Sequence, residues 1–171
     1  MKVATTLVCL LVLAGCAAPG IPPSQAPITD EPREFTFDYP VPGKSQVELY
    51  RAARNYLATA YVDSRAVTRV EDEAQGTIIG KGVVNWNYRT DSSLLPAVPC
   101  SSSYDVIFIA KEGRARLQLT FREGAASITS CNISLPPKRD YPQIVSQFND
   151  MSAGMEKALN GQGAVDKVRN F

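Results

Sequence analysis

The chain has 171 residues, of which 44% are hydrophobic and 20% are charged, a composition that fits one folded domain with additional segments. Lysine and arginine number 18 against 17 aspartates and glutamates, so the net charge is +1. This near-neutrality argues against a dedicated nucleic-acid-binding protein. The sequence has no histidine, which excludes histidine-activated serine and cysteine nucleophiles and imidazole metal ligands.

The first residues have the layout of a secretory signal. Lys2 supplies a positive charge before an apolar run from Val3 to Leu13, and small residues follow this run. The run is too short to span a bilayer comfortably as a helix. An N-terminal membrane anchor and a plain buried segment are the alternatives. We therefore expect residues 1–15 to be a signal peptide that is removed.

Leu13-Ala14-Gly15-Cys16 at the end of this run is similar to the lipobox of bacterial lipoproteins. The resemblance implies cleavage before Cys16, diacylation of its thiol and acylation of the new α-amine by a fatty acid such as palmitate. Two or three acyl chains, at about 0.8 kcal/mol per buried CH₂, give stable anchoring where one chain does not. Because Ala17, and not aspartate, follows Cys16, the resemblance also implies the outer membrane, with the domain facing the periplasm.

Two cysteines remain once Cys9 leaves with the signal peptide and Cys16 carries lipid. The remaining pair, Cys100 and Cys131, is predicted to form a disulfide, because envelope compartments are oxidising. Two buried free thiols are the alternative. Two cysteines without histidine also make a protein-only zinc site improbable, and we expect no metal and no cofactor.

Residues 16–33 are predicted to be a tether that starts at the lipidated cysteine. The segment is rich in proline, has few large apolar residues and shows no periodicity. A proline-rich ligand for an aromatic groove is the alternative. A folded domain is then expected over residues 34–160, followed by a flexible tail at 161–171.

The domain shows a strand and a helix, then further strands and a second helix. Phe35, Phe37 and Tyr39 alternate with polar residues as in a half-buried strand. Ser45 and Glu48 have capping-box spacing before a helix over 46–61. The later strands are predicted at 66–70, through Ile78 to Tyr88, and at 104–110, 114–122 and 126–135. A long loop is expected over 90–101, and a closing helix over 141–160 ends at Gly161.

This order predicts an α+β fold: a single antiparallel sheet of five to six strands with both helices on its apolar face. Gly80 and Gly82 on that face indicate a bend or close approach by a helix. If the last three strands form a simple meander, Cys131 lies opposite Arg116, and the loop before Cys100 has to fold back across the sheet to form the disulfide.

Several short segments together resemble a known family. They are the run from Phe35 to Gly43, the helix with Tyr50, Arg54 and Leu57, and the runs 61–64, 76–82 and 111–114. In this order they look like an envelope domain of unknown function with a TATA-binding-protein-like (TBP-like) fold, over about residues 35–160. The resemblance implies a fold and no activity.

No arrangement of residues points to catalysis. Glu71-Asp72-Glu73 lacks the alternating ligands and central glycine of a calcium loop, so we interpret it as a solvated turn. Ser101-Ser102-Ser103 lacks a base and a Gly-x-Ser-x-Gly setting. Arg51 and Arg54 are expected on the solvated face of the first helix. We expect no enzyme and no catalytic residue, although dispersed carboxylates can escape motif analysis.

A basic stripe is the most informative polar feature. It consists of alternate residues of one predicted strand, namely Arg114, Arg116, Gln118, Thr120 and Arg122. The next predicted strand, 126–135, contains no acidic residue that could relieve the repulsion between these arginines. The stripe is therefore a candidate binding face for an acidic or peptide partner, since arginine supplies a bidentate fork for carboxylates. A solvated outer sheet face with cross-strand ion pairs is the alternative.

The sequence thus favours a non-enzymatic, outer-membrane-anchored binding or scaffolding module of the envelope. A structural subunit of a larger envelope assembly and an envelope hydrolase are the alternatives. Expected partners are the membrane through the lipid anchor and an envelope protein or anionic partner on the open sheet face, and not nucleic acid.

Overall fold

The computed structural model describes residues 25–60, 67–89, 96–125, 131, 133 and 135–163. Its elements in chain order are β1 (Glu34–Pro40), α1 (Gln46–Ala60), β2 (Val67–Asp72), β3 (Thr77–Tyr88), β4 (Val98–Lys111), β5 (Arg114–Ala125) and α2 (Tyr141–Leu159).

The five strands of the described residues form one antiparallel sheet in the order β1-β5-β4-β3-β2. Strands β2 to β5 follow each other as neighbours, whereas β1 joins the sheet beside β5 and forms one edge. Both helices pack against the same face, where their apolar sides meet the inward residues of the strands. The predicted α+β class, with one antiparallel sheet and two helices on one face, is confirmed.

The core lies between the sheet and the helices. Leu117 and Leu119 of β5 point into it, and so do Leu49 of α1 and Phe148 of α2, all of them fully buried. Burying each such side chain contributes roughly 1.5–3 kcal/mol to folding. The opposite face of the sheet, which we call the open face, carries no helix of the described residues.

The predicted signals at both helices are present as contacts. At α1 the Ser45 amide donates to Glu48 Oε2 at 2.9 Å, and the Glu48 amide donates to Ser45 Oγ at 3.3 Å. This capping box satisfies two amides that the helix leaves unpaired. Gly161 has a φ of +73° and follows the end of α2. A residue in this left-handed conformation cannot continue the helix.

The close approach predicted at the glycines involves a neighbouring strand. Gly82 of β3 pairs in register with Tyr104 of β4, and the Tyr104 ring lies over the glycine. A Cβ at position 82 would stand 2.8 Å from Tyr104 Cε1. The buried Tyr104 ring also makes an edge contact with Phe148, with ring centroids 5.0 Å apart. The missing side chain of Gly82 therefore leaves room for an aromatic residue that reaches α2.

One predicted strand boundary and one predicted strand are wrong. β4 begins at Val98, inside the predicted loop, because the long β3 pairs with it as far as Tyr88 opposite Val98. Proline is tolerated at position 99 because this part of β4 pairs only with β3. The pairing of β4 with β5 ends at Ser102. The strand predicted over 126–135 is not observed at its described positions. Cys131, Ile133 and Leu135 lie in no strand, and the other positions from 126 to 134 fall outside the described residues.

The domain also begins before the predicted boundary at residue 34. Ile28 is fully buried, and its amide donates to the Pro136 carbonyl at 3.1 Å. The Lys138 amide donates to the Ala26 carbonyl at 3.0 Å. The last part of the predicted tether therefore packs beside the start of α2, because one isoleucine and two backbone hydrogen bonds hold it there.

Cys100 and Cys131 form a disulfide, with their Cα atoms 5.1 Å apart and both residues buried. The predicted path of the chain to this bond, which assumed a meander of the last three strands, is wrong. Arg116 faces Ile109 and Asp38 rather than Cys131. Cys100 lies on β4, and Cys131 follows the end of β5 at that same end of the sheet. The bond therefore forms without a loop folding back across the sheet.

Candidate functional site

The predicted basic stripe lies on the open face. Along β5, Arg114, Arg116 and Arg122 are exposed and Gln118 and Thr120 are half-buried. The intervening residues Ala115, Leu117, Leu119 and Phe121 are buried under the helices. The two-residue period of a strand separates these sets, so the five stripe residues share one solvent-facing surface.

Two of the three arginines have carboxylate partners on neighbouring strands. Arg116 donates to Asp38 of β1 through Nε at 2.6 Å and Nη2 at 2.8 Å. Arg122 donates to Asp105 of β4, through Nε at 2.7 Å and also through Nη2. Lys81 of β3 approaches the same Asp105 carboxylate, with Nζ 4.0 Å from Oδ1. The strand predicted over 126–135 is therefore not the neighbour that matters, because β5 lies between β1 and β4, and the cross-strand ion pairs of the alternative interpretation are present.

These ion pairs favour the charged forms of Asp38, Arg116 and Arg122. The hydrogen bonds from Arg116 hold the pKa of Asp38 below its ordinary value. The same contact raises the pKa of the Arg116 guanidinium, and Asp105 raises that of Arg122. Groups that stay ionised around neutral pH can recognise charge, but they are poorly matched to proton transfer.

The two cations at the β4–β5 turn differ from Arg116 and Arg122 in their contacts. Lys111 and Arg114 face each other across the hairpin, and both side chains are exposed. Among the residues that the structure describes, neither takes part in an ion pair or side-chain hydrogen bond. They border a cavity of about 480 Å³, whose lining also includes Arg116, Ile109 and Pro40. We call this feature the turn cavity.

Apolar side chains continue from the turn cavity across the open face. Ile107 lies two residues before Ile109 on β4 and pairs in register with Ile79 of β3, which pairs with Val70 of β2. The isoleucines are half-buried, and Val70 is 46% exposed. This row is not among the predicted site residues. The continuous apolar run from Val106 to Ala110 was the available signal, since it indicates a strand that is apolar on both faces.

A larger cavity of about 800 Å³ lies on the helix side and contains paired charges. Arg51 Nη2 lies 2.7 Å from Glu73 Oε1, and Arg54 Nε lies 2.6 Å from Glu71 Oε2. Arg51, Arg54, Glu71 and Glu73 are exposed, as expected for a solvated turn and a solvated helix face, and they pair with each other because α1 packs beside the β2–β3 turn. Asp72 accepts the Gln75 amide at 2.9 Å within that turn.

The remaining predictions concern the lipobox, the serine run, metal binding and membrane-spanning helices. Cys16, its lipobox and the run 61–64 lie outside the described residues. Ser102 is buried and accepts a hydrogen bond from Trp86 Nε1 at 3.0 Å, so its hydroxyl has a packing role. Within the described ranges, no three cysteine, aspartate or glutamate residues are arranged to hold a metal ion. None of the described helices is long and apolar enough to cross a membrane.

Comparison with known proteins identifies one family and several similar solved structures, among them the following two. A family model described as a domain of unknown function (DUF4468) with TBP-like fold matches residues 35–122. A DUF4468 family protein from Bacteroides ovatus ATCC 8483 is 15% identical, with a TM-score of 0.51 over 82% of this chain and 94% of that one. A TBP-like protein from Parabacteroides distasonis ATCC 8503 is 9% identical, with a TM-score of 0.53 over 74% and 92%. At these identities the similarity shows the fold alone. No curated protein matches the chain.

Proposed function

We propose that this chain, which belongs to DUF4468, a family of domains of unknown function with a TBP-like fold, is a non-enzymatic lipoprotein of the outer membrane. In this role its domain faces the periplasm and binds an envelope partner through the open face of the sheet. The family description names no activity, so the proposal rests on the surfaces of this chain.

The observation that carries this proposal is the one-sided covering of the sheet. α1 and α2 bury the inward face, whereas the open face leaves Ile79, Ile107 and Ile109 partly exposed between ion pairs. Contiguous apolar surface with a polar rim is typical of protein interaction sites. Arg116 pairs with Asp38 and Arg122 pairs with Asp105 on this face, and such ion-paired groups favour recognition over catalysis.

The anchor is the second part of the proposal and is based on the lipobox resemblance at Cys16. Eight residues, 17–24, separate Cys16 from the first described residue, and Ile28 packs into the domain. Even fully extended, the nine residue steps from Cys16 to Gln25 span at most about 30 Å. An anchor at Cys16 would thus keep the domain close to the bilayer and restrict its partners to the same membrane or its immediate periplasmic layer.

Site-specific photocrosslinking in intact cells tests this function. A photoreactive residue at Gln118 samples the open face, and one at Ala58 samples the exposed side of α1 as a matched control. We expect discrete crosslinked products from position 118, few from position 58, and fewer from position 118 after Cys16→Ser removes the anchor. Equal crosslinking from the two positions would contradict a binding role for the open face.

A further inference from the structure

Resting on the proposed function, we infer that the turn cavity is the specificity site of the open face and binds an extended, acidic–aliphatic segment of a partner protein. The acidic side chain meets Lys111 and Arg114, and the aliphatic side chains that follow it lie along β4 over Ile109 and Ile107.

Charge balance selects an anionic group. Three cations, Lys111, Arg114 and Arg116, line the turn cavity together with one carboxylate, Asp38. Asp38 already accepts both hydrogen bonds of Arg116, and the Glu112 carboxylate of the same turn is not part of the cavity lining, so Lys111 and Arg114 are the two lining cations that form no ion pair with a described carboxylate. Elsewhere on the open face, Arg122 and Lys81 both approach Asp105. An incoming carboxylate at the turn cavity gains charge-assisted hydrogen bonds without displacing an internal partner.

The turn that carries these cations is fixed in place. The Gly113 amide donates to the Lys44 carbonyl at 2.9 Å, and the Gly113 carbonyl accepts from the Val41 amide at 2.8 Å. Both backbone groups of Gly113 are therefore tied to the segment between β1 and α1. A fixed turn reduces the ordering cost of binding, because only the ends of the two side chains have to adjust.

The apolar row sets the spacing of the partner. Ile109 and Ile107 follow Lys111 at two-residue intervals on the same face of β4. Each interval is about 7 Å along a strand. An extended peptide has the same interval, so an acidic residue at position i places aliphatic residues at i+2 and i+4 over Ile109 and Ile107. The half-buried isoleucines form a shallow surface rather than an enclosing channel, which suits a peptide and not an acyl chain.

A labelled peptide tests this inference on the full chain held in phosphatidylcholine nanodiscs. The probe is a rhodamine-labelled hexapeptide with two aspartates followed by serine, isoleucine, serine and isoleucine, and binding is measured by fluorescence anisotropy. One control peptide carries asparagine for aspartate, and another carries serine for isoleucine. We expect both control peptides to bind more weakly than the probe.

Paired variants locate the binding. Lys111→Gln with Arg114→Gln should weaken probe binding by about three- to tenfold, as expected for exposed charge pairs. The matched variant, Arg51→Gln with Lys157→Gln, removes the same charge from the helices and should leave binding unchanged. Raising the salt from about 0.05 to about 0.5 M should shrink the difference between wild type and the Lys111/Arg114 variant.

Three results would overturn the inference. The first is that the probe does not bind the wild type, and the second is that both paired variants weaken probe binding equally. The third is that phosphatidylglycerol added to the discs displaces the probe, which would identify a lipid headgroup as the occupant. The crosslinks from position 118 separate failure of the turn-cavity inference from failure of the proposed function. If they persist, the open face still binds a partner and only the turn-cavity inference fails; if they are absent too, the proposed function fails.

Discussion

Arg116 on β5 and Asp38 on β1 form a two-point ion pair across the open face, although 78 positions separate them in the sequence. The pair joins an edge strand to the strand beside it, and it removes one arginine from the charge that the stripe can offer a ligand. The stripe therefore contains two ion-paired arginines, Arg116 and Arg122, and a third, Arg114, that forms no ion pair with a described carboxylate and acts on Asp38 through its charge alone.

The Asp38–Arg116 pair predicts a pH dependence. Because Arg116 lowers the pKa of Asp38, the pair stabilises the fold above the ordinary aspartate pKa, and this contribution is lost as the pH falls through the lowered value. Arg116→Gln should return the pKa of Asp38 towards its ordinary value in a carboxyl-detected NMR titration. Its thermal stability should fall slightly below that of wild type at neutral pH and converge with it in acid. An unchanged Asp38 titration in the variant would contradict the pair.

The Gly82–Tyr104 contact predicts that alanine is not accepted at position 82. Gly82→Ala should lower the free energy of unfolding by about 1–3 kcal/mol, because the new methyl group forces the Tyr104 ring from its site over β3. Urea unfolding of the full chain measures the effect. In a Tyr104→Ala background the same change should cost much less, and additive costs in the double variant would show that the two residues do not interact.

The disulfide predicts a measurable loss of stability on reduction. Cys100 and Cys131 are separated by 31 positions, and closing a loop of that length contributes about 3–4 kcal/mol in the chain-entropy model. A reductant should therefore lower the urea midpoint of the wild type, and the double variant Cys100→Ala with Cys131→Ala should no longer respond to it. Peptide mapping without reduction should recover the two cysteines in one linked fragment. Recovery of both as free thiols would exclude the bond.

Local patterns predicted local structure well in this chain. The Ser45–Glu48 capping box fixed the start of α1, and the alternation along β5 correctly separated buried from solvent-facing residues. Both features depend on neighbours within a few positions, where spacing alone determines which side chains meet.

Contacts between distant segments were missed, because strand order decides them. Asp38 became a partner of Arg116 only when β1 took its place beside β5, and a meander of the last strands would have put other residues there. The start of β4 could not be predicted, because Pro99 and the serines that follow it are typical of a loop. These residues form a strand because β3 is long enough to pair with them. Ile28 stood alone among prolines without any periodicity, so nothing nearby in the sequence indicated its burial.

The burial of Ile28 predicts that the segment before β1 contributes to stability. Ile28→Ala should lower the free energy of unfolding by about 2–5 kcal/mol, because it leaves a cavity in a fully buried site. Thr29→Ala is the matched control at an exposed neighbour and should change stability by less than about 0.5 kcal/mol. Similar, small effects of both substitutions in urea unfolding would indicate that residue 28 belongs to a free tether.

The lipobox resemblance predicts that the mature protein begins at an acylated Cys16. Cys16→Ser removes the only thiol that the lipobox offers for diacylation, so the variant should either remain unprocessed or be released from the membrane. Fractionation of cells followed by mass spectrometry of the N-terminus measures both outcomes. Cys9→Ser is the matched control, because Cys9 lies within the predicted signal peptide and should be removed before the mature protein is formed. If the Cys16→Ser variant stayed wholly with the membrane at the mature size, the anchor would have to be something other than lipid on Cys16.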